Sequence, residues 1–418
     1  MKKSARKVAI TGLGAISAIG LSVDELLKSL VDSRSGIQML KMDGLNKTFP
    51  AGIVQQSFEK SFTRLDLPFL DRCQQLAILA AKEAVLCSGI EDFSAYGSRA
   101  GVYYGNVNGG AATGIAWSRQ LLVDGKQTAR PFTAMAVMGN AGAAQVAIRN
   151  KIHGPVITNA SACGSSGIAI GDAARAIRDG YIDVAIAGGS EAPLSPGIMS
   201  VFDGTRALSK PDPADISRSC KPFSTERSGL VLGEGAAFVI LEDAETAMKR
   251  GAKIYGLVTG YGVSSDATHI GMPDTKGQIA CLESTLASAS MSPSDIQYIN
   301  AHATATNGGD IIEAEAIRSI FGCKSDSAAV SSTKSVHGHL LGATSALEFI
   351  VTTLAVHSSV MPATMHAENS IDQRCKLNHV GVTPRDEKIT NALSFSCGFG
   401  GTNVALIVSA PNHLLRKN

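Results

Sequence analysis

A few short stretches of this chain hold residue types that can do chemistry. The strongest is Asn159-Ala-Ser-Ala-Cys163-Gly-Ser-Ser-Gly167. An apolar, β-rich run, Pro155-Val-Ile-Thr158, comes before it, and Ile170, Ala173, Ala174 and Ile177 follow at helical spacing. This pattern predicts Cys163 at a strand-to-helix elbow, among residues small enough for a sharp turn. The positive end of a helix dipole lowers a thiol's pKa, so the elbow also predicts an enriched, nucleophilic thiolate. The bland alternative is a buried core cysteine. Elbow, small neighbours and helix start together favour the nucleophile.

Three further stretches supply partners. His302 lies in Asn300-Ala-His-Ala-Thr-Ala-Thr306, after the strand-like Ile296-Gln-Tyr-Ile299 and shortly before Asp310 and Glu313. A lone histidine is usually a satisfied structural residue. Ser331-Ser-Thr-Lys334-Ser-Val-His337-Gly-His339-Leu-Leu-Gly342 forms another strand-to-helix turn, with Glu348 in the helix beyond. His337-x-His339 has no acid or cysteine at ligand spacing beside it, so no metal is expected. Ser396-Cys-Gly-Phe-Gly-Gly-Thr-Asn403 precedes the last strand, Val404-Ala-Leu-Ile407. Such a loop is a tight turn, or a source of backbone N–H groups for an oxyanion hole. One cysteine, two histidines and a donor loop suggest thioester chemistry. The cysteine would accept an acyl group, and the histidines would stabilise negative charge on a second substrate.

These residues need a scaffold. Strand-like and helix-like patterns alternate, predicting an α/β fold with a largely parallel sheet covered on both faces. Val8-Ala-Ile10 reads as a strand ending in the turn Thr11-Gly-Leu-Gly14, and Gly256-Leu-Val-Thr-Gly-Tyr-Gly262 repeats that phrase. Lys249-Arg250-Gly251 reads as a helix end just before the second copy. Two related halves follow, 1–253 with the cysteine and 254–418 with the two histidines, packed as one unit. Gly12-Leu-Gly14-Ala-Ile-Ser17 lacks the third glycine of a dinucleotide fingerprint, so no nicotinamide cofactor is expected.

Composition narrows the class. The 418 residues include 38 Lys+Arg against 36 Asp+Glu, a net +2 with no basic block, which argues against nucleic acid. Glycine is abundant at 43 and proline sparse at 14, so the glycines belong to an ordered fold. The eight cysteines form no CxxC pair, as in a reduced, cytoplasmic protein. MKKSARK and the apolar run after it imitate a signal peptide. Gly12, Gly14 and Gly20 break that run, and Ser22-Val-Asp-Glu25 reads as a capping box opening a helix. No stretch has the ~18 uninterrupted apolar residues of a membrane span.

Taken in order, these clusters resemble the β-ketoacyl-acyl carrier protein synthases, most closely the type II elongating enzymes. The likeness spans roughly residues 6–409 and includes Arg206-Ala-Leu-Ser209, Lys221-Pro-Phe-Ser-Thr-Glu-Arg-Ser-Gly229 and Gly233-Glu-Gly-Ala236. It implies a thiolase-like five-layered αβαβα fold of two related halves. By the same resemblance Cys163 accepts the acyl chain, while His302 and His339 promote malonyl decarboxylation and stabilise the attacking enolate. N–H groups of Cys163 and Phe399 would form the oxyanion hole, Phe399 would gate the pocket, and Lys334 with Glu348 would hold the histidines in register. Thr304 and Thr306 match residues that bind the phosphopantetheine arm, with Asn108, Phe202 and Gly271 completing the substrate set. Arg64 and Arg206 would dock acyl carrier protein. No cofactor is implied beyond the carrier's phosphopantetheine. A homodimer, or a heterodimer with a chain-length-factor-like homologue, is implied too.

The chain departs from the family's pattern at several positions. Ala303 replaces a glycine after the first histidine, His337 a threonine two residues before the second, and Gly271 a third pantetheine-contacting threonine. Cys397 stands where a phenylalanine is usual, and Asn108 where the pocket floor is typically isoleucine. Around Arg64 the chain reads Arg64-Leu-Asp-Leu-Pro-Phe-Leu70, without the family's basic cluster. These differences suggest a specialised polyketide or polyene synthase. The alternatives are a fatty-acid elongation synthase, a thiolase using Cys397 as acid/base, and a non-catalytic chain-length partner.

Overall fold

The computed structural model describes residues 5–367 and 370–411; Met1–Ser4 of the signal-like segment lie outside them. The first strands are Val8–Ile16 (β1), Ile37–Lys41 (β2), Thr48–Gly52 (β3), Ala100–Gly105 (β4), Val156–Asn159 (β5), Val184–Glu191 (β6), Leu232–Gly233 (β7) and Gly235–Asp243 (β8). Then come Gly256–Ser265 (β9), Tyr298–Asn300 (β10), Ala329–Ser331 (β11), Val360–Met361 (β12), Arg385–Asp386 (β13), Asn391–Gly398 (β14) and Thr402–Ser409 (β15). The helices begin with Val23–Val31 (α1), Arg72–Ser88 (α2), Ala111–Leu122 (α3), Thr133–Val137 (α4), Ala141–Arg149 (α5) and Ser165–Arg178 (α6). They continue with Pro196–Gly204 (α7), Ala244–Lys249 (α8), Thr275–Ala289 (α9), Gly309–Phe321 (α10), Lys334–His337 (α11) and Thr344–Ser358 (α12).

Ten strands pair in the order β11-β10-β14-β15-β9-β1-β8-β6-β4-β5. Each half runs through the same sequence of pairings. In the first, β4 lies parallel to β5 and β6, while β8 runs antiparallel to β6 and β1. In the second, β10 lies parallel to β11 and β14, while β15 runs antiparallel to β14 and β9. The halves join where β1 meets β9 antiparallel, through Val8–Val258, Ala9–Leu257 and Ile10–Gly256. The sheet is therefore mixed, not largely parallel as expected. Each half sends its chain back antiparallel, by a long connection through α7 from β6 to β8 and by a tight hairpin from β14 to β15, which alternation alone does not reveal.

Helices α6 and α12 pack between the two halves of the sheet, α2 and α5 cover one outer face, and α9 and α10 the other. These are five layers. The predicted helical face of α6, with Ile170, Ala173, Ala174 and Ile177, is buried. Helix α12 is buried on every side through Thr344–Val356, Glu348 and its Ser and Thr residues included. Leu341–Ser358 has the length and composition of a membrane span, but 89% of it is buried inside the protein, as a central-layer helix requires.

The Gly-x-Gly phrases turn out to lie inside strands, not at their ends. A Cβ on Gly12 would come within 2.2 Å of the Ala84 carbonyl oxygen of α2, and one on Gly14 within 2.0 Å of that of Ala80. On β9, a Cβ on Gly262 would meet Thr285 Oγ1 of α9 at 2.3 Å. In both halves these glycines let an outer helix approach its strand. At α1, Ser22 Oγ accepts from the Glu25 N–H at 3.2 Å, while Glu25 reaches back to the Leu21 N–H, so the capping box closes on one side only.

Candidate active site

Both central helices begin at an elbow. A 3-10 turn, Ala162–Gly164, leads into α6, with Ala162 at φ 49°. Its counterpart, Leu341–Ala343, leads into α12, with Leu341 at φ 45°. Left-handed backbone at Ala and Leu is strained and needs strong surroundings to hold it. The helix starts supply them by capping each other. Ser345 Oγ accepts from the Gly167 N–H at 2.7 Å, Ser166 Oγ accepts from the Ala346 N–H at 2.9 Å, and the two hydroxyls lie 2.9 Å apart. Thus two helix N-termini, one from each half, converge on one point.

Cys163 and His339 stand at that point. His339 Nε2 is 3.0 Å from Cys163 Sγ, and its Nδ1 is 2.8 Å from Thr344 Oγ1. His302 follows β10, its ring edge-on to His339 with centroids 5.2 Å apart. Cys163 Sγ and a ring nitrogen of each histidine all lie within 4.8 Å of one another. Beneath them Lys334 and Glu348 form an ion pair with both side chains wholly buried. The sulfur also feels the backbone N–H groups of Phe399 and of Cys163 itself. Phe399 is about half exposed.

Burial governs the electrostatics. It pushes the Cys163 thiol up to about 11, against the opposing pull of Lys334 and the two N–H groups. The expected thiolate is therefore corrected to a thiol: loss of solvation at a residue only 7% exposed outweighs the helix N-terminus. Burial, aided by Lys334, holds His302 and His339 well below the usual histidine range, so both rings are neutral. One consequence is testable. Iodoacetamide should alkylate Cys163 about tenfold faster per pH unit from neutral to mildly alkaline pH, because thiolate grows in that proportion below its pKa. A plateau at neutral pH would mean a stable thiolate–imidazolium pair instead.

The surrounding loops are fixed from behind. Glu313, buried and raised to about 8 by that burial, accepts from the N–H groups of His302 at 2.6 Å and Ala303 at 2.7 Å. Arg227 donates to the carbonyls of Thr306 at 3.2 Å and Asn307 at 3.1 Å, and pairs with Asp372 at 2.9 Å. It thereby orders the loop of Thr304 and Thr306, whose hydroxyl oxygens are 3.2 Å apart. Asn108 is half-buried; its side chain and backbone N–H both donate to Glu191 at 3.1 Å, and Glu191 also accepts from the Gly342 N–H beside the second elbow. Phe202 packs on the cluster of Phe49, Met199, Leu230, Leu232 and Leu341. Gly271, Arg64 and Arg206 are exposed. Reading residue types alone left Thr344, Arg227, Glu191 and the backbone-holding role of Glu313 unassigned.

Two further candidates have other surroundings. Cys397 is half-buried against the outer core of the second half, where burial and then Glu313 raise its thiol, and the next residue, Gly398, lies against the Ala162–Cys163 backbone. His337 has both ring nitrogens engaged, with Gly338 O and Thr333 Oγ1, so His337-x-His339 does not chelate.

Fold and site together define a thiolase-like acyl-transferring enzyme. The β-ketoacyl synthase N-terminal domain matches residues 5–247 and the C-terminal domain residues 255–368. Nodulation protein E of Rhizobium meliloti (strain 1021) is 37% identical over 405 residues, covering 96% of this chain and 98% of that protein. The 3-oxoacyl-[acyl-carrier-protein] synthase 2 of Staphylococcus aureus (strain COL) is 35% identical over 407 residues, covering 96% and 98%. Among solved structures, the ishigamide ketosynthase/chain length factor superposes with a TM-score of 0.90 at 28% identity, covering 97% of this chain and 99% of that one. The chain belongs to the β-ketoacyl synthase family, whose members form a 3-oxoacyl thioester by condensation.

Proposed function

We propose that the chain elongates an acyl group held on Cys163 with malonyl-acyl carrier protein, in a specialised polyketide or polyene pathway. The convergence of Cys163, His302 and His339 at two meeting helix N-termini carries the reading of the site. Cys163 Sγ loses its proton and attacks the incoming thioester carbonyl, and the carrier's pantetheine leaves and takes up one proton as the thiol, while His339 keeps its Nε2 proton. Negative charge on the carbonyl oxygen rests on the N–H groups of Cys163 and Phe399. Malonyl then loses CO₂, and the N–H groups of the neutral His302 and His339 rings stabilise the enolate oxygen. The enolate carbon attacks the Cys163 thioester, and the C–S bond breaks to leave the 3-oxoacyl product on the carrier and Cys163 to regain a proton from solvent. No metal or other cofactor takes part in this scheme.

Asn108 carries the pathway assignment. Its amide and Glu191 form a polar element beside the second elbow, at the position the family resemblance assigns to the pocket floor. A polar floor favours oxygenated or polyunsaturated chains over long saturated ones, which offer no hydrogen bond in return. Asn108→Ile should therefore raise kcat/KM for long saturated primers roughly tenfold relative to oxygenated ones. Efficient elongation of long saturated primers by the unaltered enzyme would defeat the assignment.

Exposed Arg64 and Arg206 suit an acidic carrier protein, and the position of Arg206 just past α7 keeps it outside the core. A second thiolase-like subunit is proposed along β5. Val156 and Ile157 of this edge strand are exposed, as are Leu122, Phe132, Met135 and Met138 on and around α3 and α4.

A further inference from the structure

Directly behind His339 sits a histidine that condensation leaves unused. His337 is wholly buried, with Nδ1 2.7 Å from the Gly338 carbonyl oxygen. A carbonyl only accepts, so Nδ1 carries the proton and donates it. Nε2 then offers a lone pair to the Thr333 hydroxyl, 3.0 Å away. Thr333 Oγ1, having spent its proton, accepts from Asn300 Nδ2 at 3.4 Å, and Asn300 also donates to the Tyr298 hydroxyl at 3.1 Å. Every donor in this buried chain is thus fixed by the first carbonyl.

Its two ends are the supports of the catalytic rings. Gly338, at φ +74°, leads directly into His339. The Val231 carbonyl takes the His339 N–H at 2.7 Å, while His337 takes the carbonyl of the same Gly338–His339 peptide, so the peptide plane is held from both sides. At the other end Asn300 closes β10, two residues before His302. Burial next to the Lys334 ammonium keeps the His337 ring neutral, which the direction of the chain requires.

We infer that His337 is a positioning residue, a neutral hydrogen-bonded strut tying the His339 peptide to the strand of His302 and so setting the spacing of the two rings. The inference rests on the condensing reaction, not on the identity of the primer.

The test compares His337→Leu, which keeps bulk and loses both bonds, with His337→Asn, whose amide nitrogen occupies the place of Nδ1. Release of CO₂ from malonyl-acyl carrier protein is measured alongside KM. Misplaced catalytic groups cost large factors, so the Leu variant should lose roughly 10- to 100-fold in kcat with KM unchanged. The Asn variant should recover most of that loss. In ¹⁵N-histidine spectra of the intact protein, His337 should display the Nδ1–H tautomer. Equal kcat for Leu and the unaltered enzyme, an Asn variant no faster than Leu, or an Nε2–H signal would each overturn the inference. Should the Leu variant fail to fold, the Asn variant and the spectra decide. Absence of CO₂ release from the unaltered enzyme would instead overturn the proposed reaction.

Discussion

Cys163→Ala should yield no acyl-enzyme and lower condensation by about 10⁴-fold or more, the scale on which a covalent catalyst loses activity with its nucleophile. Cys163 Sγ lies within 4.8 Å of a ring nitrogen of each histidine, and His339 Nε2 contacts it directly at 3.0 Å. Malonyl decarboxylation should survive, because His302 and His339 remain neutral donors without the sulfur. Intact-protein mass spectrometry reads acylation, and labelled CO₂ reads decarboxylation. The two should separate: acyl adduct absent, CO₂ still released. Unchanged product formation would instead mean that the chain is a catalytically silent partner.

Much of this site was legible before folding, because its signals are local. The run of small residues around Cys163 and the apolar face of α6 are read within twenty residues, and both elbows appear where residue types place them. The misreadings share one cause. Gly12 and Gly14 look like a turn until α2, far along the chain, is seen lying on β1. The thiolate at Cys163 follows from the helix start alone; it fails because the second half of the chain closes over the sulfur and removes its water. Glu313 reads as one more acid on a helix, yet its carboxyl group holds the backbone of His302. A charge's local environment is a tertiary property. Periodicity reports which face is buried, but not what lies across from it.

The Lys334–Glu348 pair is where that tertiary environment is most exposed to test. Both side chains are entirely buried, Glu348 is lifted to about 7 by burial against the pull of Lys334, and the thiol and both histidines feel the ammonium. Glu348→Gln leaves an unpaired buried cation and should destabilise the fold by roughly 3–5 kcal/mol, seen as a lower urea midpoint. Lys334→Met with Glu348→Leu removes both charges at similar volume, and should restore stability to near the original value or above it. Activity should not return with it. Without the ammonium the Cys163 thiol rises further and the histidines bind protons more readily, so condensation should stay roughly 10²-fold down. A fully active double variant would reduce the pair to a structural contact. If Glu348→Gln keeps its urea midpoint, the buried charge pair is not formed, and the field assigned to Lys334 at the sulfur goes with it.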